Sequence, residues 1–96
     1  MKIEFDPAKS AKNAKERGLP FELTAELDWR AARVWSDERR DYGEERYVAV
    51  GSVTCGTQRL ILAVVWTPRG RKRRIISARE ANVVEQETYR RFCGVL

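Results

Sequence analysis

The stretch from Leu60 to Arg79, LILAVVWTPRGRKRRIISAR, limits the possible folds more than any other. Leu60 to Trp66 is an unbroken apolar run, which suits a strand covered on both faces rather than one half open to water. Arg74 to Ala78 holds two β-branched residues and reads as a second strand. Between them lie Pro68 and Gly70, both turn formers. The stretch therefore predicts a buried hairpin. Its turn is heavily basic, since Arg69, Arg71, Lys72, Arg73 and Arg74 place five cations in six residues. Like charges this dense are costly unless an anion or a carboxylate lies near. The run reads either as a solvated tip or as a phosphate-binding surface.

The rest of the chain repeats the bias. The formal charge is +5 over 96 residues, with a pI near 9.6. A small basic domain favours anionic partners such as nucleic acid, an acidic protein or an anionic surface. The length predicts one domain, residues 1–96. The opening MKIEFDPAK is charged and has no apolar signal core, and no run approaches the roughly 20 apolar residues of a membrane span. Cys55 and Cys93 lack metal-ligand spacing and the chain has no histidine, so a Cys/His zinc site is not expected. Two lone thiols fit a reducing cytoplasm.

Read in order, Lys2–Phe5 alternates as a strand. Asp6-Pro7 then starts a helix, with Asp as N-cap and Pro in the first turn, and Gly18 ends it. Its thin apolar face is Ala8, Ala11 and Ala14, and Lys9, Lys12 and Lys15 share another. A second short helix runs to about Asp28, with Phe21, Leu23 and Leu27 as core contacts. Arg33–Ser36 is a short strand, possible at a sheet edge. Asp37–Glu44 is a charged loop, the least ordered part by composition. Glu45–Ser52 is a further strand, and Cys55-Gly56-Thr57 a turn. The last helix is expected to start at Ser77, where Ser77 and Glu80 fit a capping box, with Ala81, Val84, Thr88 and Phe92 on one face. The order is β-α-α-β-β-β-β-α: an α+β domain, a small antiparallel sheet with helices packed on it.

A basic domain without histidine restricts the chemistry. Cleaving RNA without a metal requires a base for the 2′-OH, charge stabilisation at phosphorus and an acid for the leaving oxygen. Arginine and lysine can stabilise the charge, and Glu45, Glu85 and Tyr89 are available to move protons. Asn82, Glu85 and Tyr89 fall on one helix face beside Arg79, which could be a substrate face or an ordinary wet one. An ion pair from Arg79 to Glu45 or Glu85 is the alternative account of that arginine. Trp35, Tyr42, Tyr47 and Trp66 are candidates to stack on bases, although Trp29 and Trp66 fit a core better; Tyr42 has the most exposed setting.

Two blocks resemble the BrnT toxin family. FDPAKSAKNAKERGLPFE supplies Phe5, Asp6, Pro7, Lys9, Asn13, Gly18, Phe21 and Glu22 of the family's opening pattern. RIISAREANVVEQETY supplies Arg74 through Arg79, Ala81, Glu85 and Tyr89. Glu45-Arg46, Gly51 and the apolar strand ending at Val65 also fit. Two positions depart from the pattern: Arg17 stands where the family usually has histidine, and Glu80 where it usually has lysine. Arg17 could bind phosphate but could not shuttle protons near neutral pH.

The resemblance implies a RelE-like fold and a ribonuclease toxin of a type II toxin–antitoxin pair, inhibiting translation and growth. It implies neutralisation by a BrnA-like ribbon-helix-helix antitoxin in a complex of two toxins and two antitoxins, with operator DNA reached only through the antitoxin. On that reading Arg74 and Arg79 hold the scissile phosphate, and Lys9, Arg71, Lys72 and Arg73 contact RNA. Glu85 and Tyr89 are candidates for proton transfer, and Glu45 for orienting Arg79. No metal or organic cofactor is expected. Two other readings remain open: a toxin-like module weakened by Glu80 that acts only in a repressor complex, and a free-standing nucleic-acid-binding domain.

Overall fold

Four strand pairings organise the chain into one five-stranded sheet of order β1-β5-β4-β3-β2. The coordinates are a computed structural model and describe residues 2–93. The strands are β1 (Lys2–Glu4), β2 (Arg33–Ser36), β3 (Tyr47–Cys55), β4 (Gln58–Arg69) and β5 (Lys72–Glu80). The helices are α1 (Pro7–Arg17) and α2 (Val83–Phe92), and a 3-10 segment covers Phe21–Glu26. The α+β class agrees with the sequence reading, and where a second helix was expected to about Asp28 the chain forms a 3-10 segment. The sheet is mixed rather than antiparallel, because β1 runs parallel to β5, pairing Lys2 with Lys72 and Glu4 with Arg74. Register between the two ends of a chain is long-range and leaves no local trace.

The apolar run does lie at the centre with cover on both faces. Leu62, Val64 and Trp66 join Phe21, Leu27, Ala49, Ile75 and Ala78 in a core beneath the 3-10 segment. Ala63, with Ile61 and Val65, joins Val48, Val50 and Tyr89 beneath α2. Successive residues of one strand thus serve opposite cores, as the pleat requires.

α1 begins and ends as expected: Asp6 accepts from Ala8 N at 2.9 Å, and Gly18 closes the helix at φ 70°. Its inner face is not the alanine stripe. Ala8 and Ala11 are exposed, while Ser10 and Asn13 are buried. Ser10 Oγ accepts from Phe21 N at 2.8 Å and donates to Glu22 Oε1 at 2.7 Å. Asn13 Nδ2 donates to the carbonyls of Leu19 at 2.6 Å and Ala78 at 2.9 Å. Buried polar groups with specific partners outcompete a weakly apolar stripe for the inner position.

The last helix starts later than expected. Ser77–Glu80 continue the β5 ladder opposite Leu62–Val65, so no capping box forms there. The box is Asn82 with Glu85: Glu85 N donates to Asn82 Oδ1 at 2.8 Å and Asn82 N to Glu85 Oε1 at 2.9 Å. Both tetrads fit the sequence pattern, and cross-strand pairing decides between them. Of the expected inner face, Ala81 is buried just before the helix, but Thr88 is exposed, Val84 is 70% exposed and Phe92 52%. Tyr89 turns inward instead.

Candidate active site

One irregularity in the ladder sets the direction of the site. Val65 pairs with Ser77 and Trp66 with Ile75, which leaves Ile76 as a bulge on β5. Strict alternation would put Ile75, Ser77 and Arg79 on one side. The extra residue instead sends Ile75 and Ala78 into the core under the 3-10 segment and turns Ser77 and Arg79 to the α2 side.

There Ser77 and Arg79 line a cleft of about 330 Å³ over Val48 and Val65. α2 contributes Glu85, β2 contributes Trp35 and Ser36, and the following loop contributes Asp37, Glu38 and Arg39. Arg17 reaches in from the end of α1. β1 accompanies β5 only from Lys72 to Arg74. Beyond it α1 takes over the edge, where Asn13 and Arg17 both donate to the Ala78 carbonyl, Arg17 Nη1 at 3.3 Å.

Arg79 and Glu85 form a two-pronged pair, Nη1–Oε1 at 2.7 Å and Nη2–Oε2 at 2.9 Å. This geometry fixes the guanidinium plane as well as neutralising it. The bond raises the pKa of Arg79 against burial and the nearby Arg39 charge. The same bond holds Glu85 below the usual carboxylate range, helped by the Asn82 N–H and opposed by burial. Glu85 therefore caps α2 and aims Arg79 at once.

Arg39 is placed in the same way. Asp37 is buried and accepts from Arg39 Nε and Nη2, both at 2.8 Å, and from Tyr42 Oη at 3.3 Å. These bonds lower the Asp37 pKa, the Arg39 side-chain bond most of all. The loop expected to be least ordered is thus tied down at its start. Arg17, Arg39 and Arg79 face three carboxylates, Asp37, Glu38 and Glu85, so the cleft lining is balanced in formal charge. What it offers an anion is directed hydrogen bonding. Arg79 uses three N–H groups on Glu85 and the Glu80 carbonyl, and Arg39 two on Asp37. Each fork has about five N–H donors, so both keep donors for a ligand.

The structure brings together only part of the expected site. Arg79 and Glu85 meet in the cleft. Arg74 sits on the same side of β5 but roughly 16 Å along it at ~3.3 Å per residue, paired with Glu4 at 3.5 Å. Tyr89 is buried under α2, its hydroxyl 3.5 Å from Ser52 Oγ. Glu45 does not orient Arg79; its carboxylate accepts from Tyr47 Oη at 3.2 Å. Lys9 lines a second hollow, on α1, whose lining shares Arg17 and Ser77 with the cleft. The basic turn is dispersed by its partners: Arg69 pairs with Glu44 at 3.8 Å, and the Arg73 guanidinium lies 4.1 Å from the Trp29 ring centroid. Burial lowers the Arg73 pKa. Arg71 and Lys72 are exposed at the tip, at the far end of β5 from the cleft. Of the aromatic candidates, Trp35 is 38% exposed in the cleft. Tyr42 is half-buried under Arg40 and Arg46, Tyr47 stacks on Trp66, and Trp66 is buried.

Asp37, Glu38 and Arg39 were not singled out by sequence reasoning, because a run of mixed charges has no periodicity to show which member turns inward. Arg17 stood out only as a departure from the family pattern. Among the described residues no group of three or more His, Cys, Asp or Glu side chains is placed to hold a metal ion, and no helix is long and apolar enough to cross a membrane. Residues 5–85 match the model of a family described as ribonuclease toxin, BrnT, of type II toxin–antitoxin system. No curated protein matches the chain.

Proposed function

Since the chain belongs to the BrnT family of ribonuclease toxins, we propose that it cleaves RNA in the cleft between β5, α2 and the loop after β2. The observation that carries this reading is the Arg79 fork, fixed by Glu85 in a cleft it shares with Arg17 and Arg39. In this reading Arg79 contacts the scissile phosphate. As the 2′-oxygen attacks phosphorus, the extra negative charge spreads onto oxygens faced by guanidinium groups that are already oriented. Trp35 on the rim stacks one of the flanking bases. The bond to the 5′-oxygen breaks, leaving a 2′,3′-cyclic phosphate and a free 5′-hydroxyl without a metal ion.

Proton transfer is the less furnished part of the site. Glu85 stays ionised and engaged, so it acts as a positioning residue for Arg79. Tyr89 is enclosed among β3, β4 and α2. Glu38 is the cleft carboxylate that forms no ion pair among the described residues, and it is the proposed acceptor of the 2′-OH proton, which it then returns to the departing 5′-oxygen. Glu80, the family departure, is exposed at the end of β5 and does not line the cleft, which favours an active toxin over a weakened module.

The toxin acts in the cytoplasm and its partner is an antitoxin of the BrnA, ribbon-helix-helix type, two copies of each forming the complex that reaches operator DNA. The exposed cations Arg71 and Lys72, far from the cleft, are assigned to an acidic segment of that antitoxin. The test has two readouts. Induction without the antitoxin arrests growth, and RNA recovered from purified protein in chelating buffer carries cyclic phosphate ends. Unimpeded growth together with intact RNA would sink the enzymatic reading and leave the repressor module.

A further inference from the structure

The cleft at Arg79 is not closed on its α1 side. A second hollow, of about 270 Å³, is lined by Lys9, Lys12 and Glu16 and shares both Arg17 and Ser77 with the first. The two linings have Arg17 and Ser77 in common, so the hollows adjoin there as two lobes. The lobes differ in charge. The Arg79 lobe is balanced, three arginines against three carboxylates, whereas the α1 lobe holds Lys9, Lys12 and Arg17 against Glu16 alone. Glu16 is committed only loosely, 3.9 Å from Lys12 in an exposed pair with side chains 74% and 55% exposed, and such pairs yield readily to a stronger anion.

From this division we infer that the α1 lobe is a subsite for the backbone phosphates next to the reacting one, and that it supplies long-range attraction the Arg79 lobe lacks. The inference rests on the proposed cleavage at Arg79 but concerns binding, which is measured separately. The ligand class is a single-stranded polynucleotide threaded over Ser77, one phosphate in the Arg79 lobe and its neighbours over Lys9 and Lys12. A mononucleotide would occupy only one lobe.

The test measures affinity for a 2′-O-methyl RNA oligonucleotide, which keeps the phosphates but cannot be cleaved through a 2′-OH, over a range of salt concentrations. Each phosphate contact on a single strand contributes a slope of about 0.7 in log affinity against log salt. The double variant Lys9→Ala/Lys12→Ala is expected to lower the slope by about 1.4, two contacts at about 0.7 each, and to weaken binding at low salt by tenfold or so. Lys15→Ala removes a cation of the same helix that lies outside the hollow, and keeps the wild-type slope. If the double variant behaves as the Lys15→Ala control does, the subsite is wrong. A wild-type protein that binds with a slope the double variant lowers, yet leaves ordinary RNA intact, overturns the cleavage reading and upholds the subsite; one that cleaves ordinary RNA but does not bind the oligonucleotide overturns the subsite alone.

Discussion

At the residue scale the proposed cleavage depends on how a guanidinium is held. Glu85 fixes the plane of Arg79, the feature the proposed chemistry uses, and a lysine would keep the charge while losing the fork. Arg79→Lys is therefore expected to retain binding and lose most cleavage, a fall in kcat of about 10²-fold, the scale of removing one oriented donor. Equal kcat in Arg79→Lys and wild type would show that charge alone is required. Glu38→Gln is expected to lower kcat while leaving oligonucleotide affinity unchanged; an unaltered kcat would move the base elsewhere. The pair Arg79 and Glu85 could be read from the sequence as one of two options, since six residues separate them across a strand end and a helix start. The pair Asp37 and Arg39 could not, because burial of that aspartate depends on contacts made by Arg46 and Tyr42 in the folded chain.

The acid side of stability follows from the same groups. Glu85 and Asp37 both have pKa values lowered by arginine bonds. The native state thus binds fewer protons than the unfolded one, and their contribution is complete above the ordinary carboxylate range, near pH 4. It is lost as pH falls through the lower folded values. Urea titrations should show wild type losing stability below about pH 4 more steeply than Glu85→Gln. At neutral pH that variant should be less stable by about 1 kcal/mol, a modest figure because the arginine is partly exposed. Parallel curves for the two proteins would mean the pair contributes nothing to folding.

At the scale of elements, local signals worked where they had no rival. Asp6, Pro7 and Gly18 mark α1 to the residue. At the other end two capping tetrads lay within nine residues, Ser77–Glu80 and Asn82–Glu85, and only the β4 ladder could choose between them. Asn82→Ala should cost about 1 kcal/mol and Ser77→Ala far less through capping, as thermal melts can show; the reverse order would restore the earlier helix start. The Ile76 bulge was equally hidden, although two adjacent isoleucines already break the alternation. Gly51 on β3 has a packing reason: a Cβ there would meet Leu27 Cγ at 3.2 Å and Ala32 Cβ at 3.3 Å. Gly51→Val should destabilise by roughly 1–3 kcal/mol through overpacking, and an unchanged melting temperature would contradict that contact.

At the scale of the whole molecule, the positive charge is distributed unevenly in kind. The basic turn was the loudest feature of the sequence, yet its arginines are largely answered by Glu44, Glu4 and the Trp29 face. The groove instead draws on cations scattered from α1 to β5, which only the fold gathers. Net charge was legible from composition; which cations share a concavity was not. Arg71→Ala/Lys72→Ala should weaken antitoxin binding several-fold at low salt and leave RNA cleavage intact. The claim on which the rest depends is that an arginine fork in the β5–α2 cleft does the work on phosphate. Its most direct measurement is the rate of RNA cleavage by folded wild-type and Arg79→Ala proteins in chelating buffer. The account predicts a fall of at least about 10²-fold, and equal rates would contradict it.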